Sequence, residues 1–152
     1  MADVFLALGS NLGDRRENLA RAQAALEPAV KILQRSAVYE TAPQYVTEQP
    51  AFLNMVLRAQ TALSPRALLA CAKETEHALG RTPSRRFGPR VIDIDILFYN
   101  DQIINEPALQ IPHPRIAERQ FVLQPMAEIA PDHRHPVTGR TVAEMLQVLD
   151  FL

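Results

Sequence analysis

The spacing of apolar and polar positions along the chain predicts four strands and four helices. Short apolar runs and strictly alternating positions mark the strands, whereas apolar residues three or four positions apart mark the helices. The predicted strands cover 4–8, 31–39, 54–60 and 91–99, and the predicted helices cover 15–26, 65–79, 116–129 and 142–149. The order is strand, helix, strand, strand, helix, strand, followed by a helical tail.

That order is the split βαβ pattern of a ferredoxin-like fold. We therefore expect an α+β protein, a ferredoxin-like αβ sandwich with a mainly antiparallel sheet and its helices on one face. The other face would be free for loops and a ligand, and we expect an active site on that loop-covered face. A chain of 152 residues fits one hydrophobic core, so we expect a single domain over residues 1–152.

Short polar motifs predict where the first two helices begin and end. Asp14 followed three residues later by Glu17 resembles a capping box, in which the Asp14 side chain accepts a hydrogen bond from the first turn. Ser64 before Pro65 predicts the start of the second helix, because proline suits the first helical position. Gly80 then ends that helix.

Two stretches between these elements are long and irregular. The segment "ETAPQYVTEQPAF" (40–52) contains two prolines and has no periodicity, and the segment 81–90 is rich in arginine. Loops of this length in a compact domain are usually functional or disordered. Both loops therefore become candidate parts of a binding site.

Composition excludes several classes of function. The net charge of −1 gives no global field that would attract nucleic acid or an anionic membrane, so we expect neither as a partner. No apolar stretch approaches the ~20 residues of a membrane span, and the first residues lack the basic region of a signal peptide. Cys71 is the only cysteine, which rules out a disulfide framework. We expect a cytoplasmic protein.

Two aspartates interrupt the last predicted strand, which is otherwise apolar. Because strand side chains alternate between faces, Asp93 and Asp95 share one face. Two carboxylates this close raise each other's pKa unless a cation compensates, and Mg²⁺ typically takes one or two carboxylates together with substrate phosphates. The alternative is a solvated pair, or a pair bound to arginines. The alternation also sends Ile92, Ile94, Ile96 and Phe98 toward the helices and Leu97 and Tyr99 toward the aspartates' face.

Arginines flank this strand in the sequence. The preceding loop and the later segment beside His113 contain Arg81, Arg85, Arg86, Arg90, Arg115 and Arg119. Guanidinium groups match phosphate oxygens in pairs, although a solvated basic loop would look the same in sequence. Carboxylates for a metal beside arginines for phosphates form the layout expected for phosphoryl transfer. The chain lacks the glycine-rich phosphate loop of P-loop kinases, so that class is excluded.

Six motifs occur in a specific order and span nearly the whole chain: "ALGSNLGD", "YET", "EQPAFLN", "LGR", "RFGPRVIDIDILFY" and "IPHPRIAERQFVL". Their order and spacing resemble the 6-hydroxymethyl-7,8-dihydropterin pyrophosphokinase family of folate biosynthesis. The resemblance implies a ferredoxin-like α+β sandwich. It also implies an enzyme that transfers the terminal pyrophosphate of ATP to the pterin hydroxymethyl group and releases AMP, with two Mg²⁺ ions. The implied partners are these two small molecules, and we expect a monomer.

The resemblance also assigns roles to individual residues. It makes Asp93 and Asp95 the Mg²⁺ ligands, and Arg81 and Arg90 the catalytic arginines. The implied ATP contacts are Lys73, Glu76, Arg81, Arg90, Ile96, His113, Arg115 and Arg119. The implied pterin contacts are Thr41, Ala42, Pro43, Phe52, Asn54, Phe87, Asp93 and Phe121, with Phe87 closing over the pterin.

The sequence departs from the family pattern at a few of these positions. Lys73 stands where glutamine is usual, and Phe87 stands where some members have tryptophan. The arginine-rich loop contains Pro83 and looks shorter than in some members. It therefore stays open whether Arg85 or Arg86 makes the additional phosphate contact.

Two other classes of function remain open from the residues alone. One is a different Mg²⁺-dependent nucleotidyl or phosphoryl transferase with an acidic pair, which would release pyrophosphate or ADP instead of AMP. The other is a ferredoxin-like nucleic-acid or ligand-binding module, which should show a basic sheet face with exposed aromatic residues. His133 and His135 form a weak second candidate for a metal site, because no third ligand is evident.

Overall fold

A five-stranded antiparallel sheet forms the centre of the protein. The computed structural model describes residues 1–42, 49–80 and 91–150. The strands are β1 (Ala2–Ser10), β2 (Val30–Arg35), β3 (Tyr39–Thr41), β4 (Phe52–Thr61) and β5 (Asp93–Tyr99). They lie in the order β2-β4-β1-β5, and β3 pairs with β4. The α+β class with an antiparallel sheet is therefore confirmed.

The first two helices cover the first face of the sheet, as predicted. Helix α1 (Arg15–Leu26) begins at Asp14, whose carboxylate accepts the Glu17 N–H at 3.2 Å. Helix α2 (Pro65–Ala78) begins at Ser64, which accepts the Ala67 N–H. Apolar side chains of both helices pack against alternate residues of the central strands and form the larger core cluster, which includes Leu6, Leu19, Leu26, Leu57, Leu68 and Ile94.

The prediction that helices cover only one face was wrong. Helices α3 (Gln120–Ile129) and α4 (Val142–Asp150) pack on the second face, over a separate core cluster. The reason is that the second face is apolar at one end, where Phe5, Val56 and Leu97 are buried. Only the other end of this face, which carries polar residues, is left for a site.

A β-bulge in β5 moves the side chains of its last residues to the opposite faces of the sheet from those predicted. Leu6 pairs with Ile96 but Phe5 pairs with Phe98, so Leu97 is an extra residue in β5. Phe98 therefore joins Leu97 in the second-face cluster, and Tyr99 joins the first-face core. The sequence prediction had these two aromatic residues on the opposite faces, because strict alternation cannot anticipate a bulge.

The predicted strand 31–39 is divided into β2 and β3. Ser36 interrupts the ladder, because its hydroxyl accepts the Val56 N–H at 2.9 Å in place of a backbone carbonyl. The next residue, Ala37, donates its N–H to the Glu128 carboxylate on α3 instead of to a strand. These side-chain hydrogen bonds replace two ladder positions and let the chain step from β2 to β3.

The chain after β5 contains a hairpin that the pattern did not predict. Strands β6 (Ile104–Glu106) and β7 (Leu109–Ile111) are three residues each, too short to show a period.

The predicted helix 116–129 is shorter than expected: a 3₁₀ turn occupies Ile116–Glu118, and the extended backbone of Arg119 separates it from α3. Among the described helices, none has the length and apolarity needed to cross a membrane.

Candidate active site

The polar end of the second face brings together residues from three adjacent strands. The sheet register places Gly9 of β1 directly beside Asn54 of β4 on one side and Asp93 of β5 on the other. Asp95 lies two positions further along β5, beside Ala7. Directly paired residues of an antiparallel sheet share a face, so Asn54 and both aspartates project on the same side.

Asp93 and Asp95 are two like charges on one face of the same strand. Burial and the neighbouring charge of Asp93 raise the pKa of Asp95 to about 7, and the Arg119 guanidinium opposes that rise. Arg119 Nη1 lies 3.8 Å from Asp95 Oδ2, so pairing with an arginine, the alternative considered from sequence, is observed for Asp95.

This donor set fits a hard divalent cation. Within the described ranges, no group of three or more His, Cys, Asp or Glu side chains could hold a metal ion by itself. Two carboxylates without further protein ligands suit Mg²⁺, which takes its remaining oxygens from water and phosphates. His133, the weaker metal candidate, instead packs against the rings of Phe5 and Phe98 of the second-face core, with centroid distances of 4.8 and 4.4 Å.

Glu76 of α2 holds the strand segment that carries the aspartates. Its side chain is 2% exposed, and Oε2 accepts the Ile94 N–H at 2.8 Å. Ile94 lies between Asp93 and Asp95, and its N–H points to the outer edge of β5. The Lys73 ammonium lies 3.7 Å from Glu76 Oε1. The described contacts of Glu76 therefore give it a positioning role.

A pocket of about 320 Å³ opens along the outer edge of β5. Its walls come from α2, β5, the β6–β7 hairpin and the segment that follows the hairpin. The lining residues are Leu69, Lys73, Ile94, Asp95, Ile96, Pro107, Ala108, Leu109, Gln110, His113 and Pro114. Three residues assigned to ATP by resemblance, Lys73, Ile96 and His113, therefore meet around Asp95.

His113 presents a neutral imidazole to this pocket. Burial and the Arg119 guanidinium lower its pKa to about 4, against the opposing charge of Asp93. The Arg115 N–H donates to His113 Nδ1 at 3.2 Å, so the proton of the neutral ring is on Nε2. His113 can therefore donate a hydrogen bond to a ligand oxygen.

Arg119 connects the pocket to the polar end of the sheet. Its side chain is 13% exposed, and its Nε–H is buried with no hydrogen-bond partner in the described structure. Its guanidinium also lies over the Phe121 ring, 5.5 Å from the centroid. A buried guanidinium with an unused donor between a carboxylate and an aromatic ring suits an anionic ligand, because phosphate oxygens would accept from it.

Asn54 and Thr41 form the other half of the site. The Asn54 amide is 7% exposed and donates to Thr41 Oγ1 at 2.5 Å. Phe52, which is near Gly9, and Phe121, which lies beside Arg119, are both half-buried. Ala42 is exposed at the end of the described segment. An amide beside aromatic rings is suited to a planar heterocycle with donor and acceptor edges.

Residues near the start of α1 anchor the segment that leads into β4. Asn11 Nδ2 donates to Gln49 Oε1 at 2.9 Å and to the Pro50 carbonyl at 3.0 Å. Arg15 Nη1 donates to the Ala51 carbonyl at 2.8 Å. Sequence reasoning missed these contacts, although Asn11 belongs to the "ALGSNLGD" motif.

Several predicted site residues lie outside the described residues. They are Arg81, Arg90, Pro43 and Phe87, together with the alternatives Arg85 and Arg86. Sequence reasoning also missed the pocket walls supplied by the β6–β7 hairpin, because the hairpin itself was not predicted. The hairpin residues that line the pocket, Pro107 to Gln110, are apolar except for one amide and form no recognisable motif.

Asp95 and the neutral His113 line one pocket of this α+β protein, and Asp93 and Arg119 lie beside Asp95. This arrangement is typical of the phosphoryl-transfer class of sites. The chain belongs to the 7,8-dihydro-6-hydroxymethylpterin-pyrophosphokinase (HPPK) family, whose model matches residues 5–131. The recognition made from the six motifs is therefore confirmed.

Two curated relatives illustrate how the family is arranged. The chain is 45% identical over 152 residues to 2-amino-4-hydroxy-6-hydroxymethyldihydropteridine pyrophosphokinase of Methylorubrum extorquens, covering 99% of this chain and 95% of that protein. It is 45% identical over 142 residues to the folic acid synthesis protein FOL1 of Dictyostelium discoideum, covering 93% of this chain. The chain spans only 22% of the length of that second relative.

Solved structures agree with the fold. The crystal structure of Plasmodium falciparum HPPK-DHPS wild type with pteroate matches with a TM-score of 0.79, over 97% of this chain and 44% of that chain. The sequence identity is 16%, so this comparison supports the α+β architecture alone.

The Glu76 contacts generate the first prediction. Glu76→Ala should destabilise the protein by about 1–3 kcal/mol, because it leaves the buried Ile94 N–H without an acceptor. Glu76→Gln should recover most of that loss, since its amide oxygen can still accept the bond. Urea unfolding measures both. Glu74→Ala, on the exposed face of the same helix, is the control. Equal stability of Glu76→Ala and Glu74→Ala would contradict the positioning role.

Proposed function

We propose that the protein transfers the terminal pyrophosphate of ATP to the hydroxymethyl group of 6-hydroxymethyl-7,8-dihydropterin. The observation that carries the proposal is the carboxylate pair Asp93 and Asp95 at the junction of two binding regions. One is the pocket along β5, with Lys73 and His113. The other is the Asn54 and Thr41 region. The family supplies the two substrates that these regions would take, ATP and the pterin.

The reaction joins the hydroxymethyl oxygen to the β-phosphorus of ATP, and the hydroxyl proton is released. The bond from the β-phosphorus to the oxygen that bridges it to the α-phosphorus breaks, and AMP leaves with that oxygen. The nucleophile is an alcohol and the electrophile is highly charged, so the protein must mainly position the two and balance charge. The site has groups for both tasks.

The residues around the β5 pocket would bind the triphosphate. Neutral His113 would donate a hydrogen bond to a phosphate oxygen from Nε2, and Arg119 would donate one from Nε. The Lys73 ammonium would add a positive charge. Arg115 is a further proposed contact beside His113. Arg81 and Arg90 would complete this set as the catalytic arginines, because positioned cations act most on charge that shifts in the transition state.

Asp93 and Asp95 would hold Mg²⁺, which when bound would neutralise phosphate charge and help to align the reacting groups. Burial and the charge of Asp93 raise the pKa of Asp95, which supports this role because a bound cation would stabilise the ionised pair. The presence of two ions is part of the proposal, as expected from the family resemblance.

The Asn54 region would bind the pterin. The Asn54 amide would form hydrogen bonds with the edge of the pterin ring, and Phe52 and Phe121 would pack against the faces of that ring. Thr41 would hold the amide in place. Ala42, Pro43 and Phe87 complete the proposed pterin set. We further propose that residues 1–152 act as one domain, as a monomer, in the cytoplasm.

Product identity tests this function. The protein should form AMP when it is incubated with ATP, Mg²⁺ and 6-hydroxymethyl-7,8-dihydropterin, with nucleotides separated by ion-exchange chromatography. Omission of the pterin should abolish AMP formation. ADP as the product would indicate a monophosphoryl kinase, and release of pyrophosphate would indicate a nucleotidyl transferase. Either result would contradict the proposal.

Removal of one carboxylate should cost chemistry and not folding. Asp93→Asn and Asp95→Asn keep the size of the side chain and remove like-charge repulsion within the pair. We expect an unchanged or slightly higher melting temperature without Mg²⁺, and near-complete loss of AMP formation. The exposed Asp132→Asn serves as a control. Near-normal activity in either variant would exclude the metal role of that residue, and a large loss of apo stability would favour a purely ion-paired role.

The two catalytic arginines should act on turnover more than on ground-state binding. Arg81→Ala and Arg90→Ala should lower kcat by roughly 10²–10³-fold, the range seen when a preorganised donor is removed. Arg140→Ala, an exposed arginine remote from the site in sequence, is the control. Steady-state kinetics separates the possibilities: variants that raise only the KM for ATP would show that these arginines bind substrate without acting on the transition state.

A further inference from the structure

Gly9 lies at the centre of the polar end of the sheet and has no side chain of its own there. It is paired with Asn54 on β4 and with Asp93 on β5, so it lies between the proposed pterin amide and the proposed metal ligand. It belongs to the "ALGSNLGD" motif.

The requirement for glycine at this position is one of space. The backbone of Gly9 is not in the left-handed region, which the structure records for Gly13, Gly80 and Gly139, so its φ angle does not demand glycine. A Cβ atom on Gly9 would lie 2.9 Å from Asn54 Oδ1. The next nearest atoms, Phe52 Cδ1 at 3.5 Å and the Leu53 carbonyl oxygen at 3.8 Å, are at ordinary contact distances.

The single close contact is therefore with the end of one side chain. The Asn54 amide can rotate away from an added methyl group, so the backbone of the sheet need not move. That rotation would pull the amide from Thr41 Oγ1, to which it donates at 2.5 Å. A methyl group at Gly9 would thus be inexpensive for folding but would misplace the group that faces the heterocycle.

We propose that Gly9 is a positioning residue, which sets the orientation of the Asn54 amide and thereby the affinity for the pterin. This inference rests on the proposed function, in which Asn54 reads the pterin edge. Gly9 need not touch the pterin itself. It acts by leaving the space in which the amide oxygen of Asn54 sits.

The test is a double-mutant cycle between Gly9 and Asn54. Binding of 6-hydroxymethylpterin is followed by its fluorescence in the presence of α,β-methylene-ATP and Mg²⁺. Gly9→Ala should weaken this binding by roughly 10–100-fold, which is the effect of one or two misplaced hydrogen bonds. Affinity for α,β-methylene-ATP alone and the melting temperature should stay near those of the unmodified protein. On the Asn54→Ala background, the added methyl group should cause no further loss.

Gly139→Ala is the matched control, with the opposite expected pattern. Gly139 has a φ of +74°, and no atom lies within 4 Å of a Cβ added to it, so alanine there should lower stability through backbone strain and leave pterin affinity unchanged.

Each other outcome is informative. Normal pterin affinity in Gly9→Ala would overturn the inference, and so would unfolding of that variant, because the displaced atom would then not be free to rotate. An equal further loss on the Asn54→Ala background would show that Gly9 makes room for the ligand directly, which also overturns it. Normal pterin affinity in Asn54→Ala alone would instead refute the pterin role of Asn54 in the proposed function.

Discussion

The arrangement of the site depends on two like charges held on one face of a single strand. Asp93 and Asp95 are two positions apart in β5, so the pleat fixes their separation, and the pairing of β5 with β1 fixes their direction. Glu76 secures the residue between them through the Ile94 N–H. Burial and the nearby charge of Asp93 together raise the pKa of Asp95. A carboxylate pair held in this way is what the proposed cation site requires.

The division of the second face explains why the site lies where it does. Helices α3 and α4 cover the apolar end and leave the end with Asn54, Gly9 and Asp93. Because α3 begins immediately after Arg119, the same packing that closes the core also delivers the guanidinium to Asp95 and the Phe121 ring to its side. The core and the site are thus set by one placement of α3.

Sequence alone was enough for the features that depend on local pattern and motif. The caps at Asp14 and Ser64, the α+β class and the shared face of the two aspartates follow from short-range rules. The features that it missed depend on tertiary contacts. The bulge at Leu97 is a change of register against β1, and the break at Ser36 comes with a side-chain hydrogen bond to β4. The β6–β7 hairpin is too short to show a period. The packing of α3 and α4 on the second face could not be predicted without knowing where the apolar part of that face lies.

Cation binding measures the central claim most directly. Free Mn²⁺, quantified by electron paramagnetic resonance, can be titrated with the protein in the presence of α,β-methylene-ATP, with the nucleotide alone as the reference. If Asp93 and Asp95 form the cation site, the unmodified protein should bind Mn²⁺ beyond what the nucleotide binds. The double variant Asp93→Asn/Asp95→Asn should lose that additional binding while it stays folded. Equal Mn²⁺ binding by the two folded proteins would contradict the account.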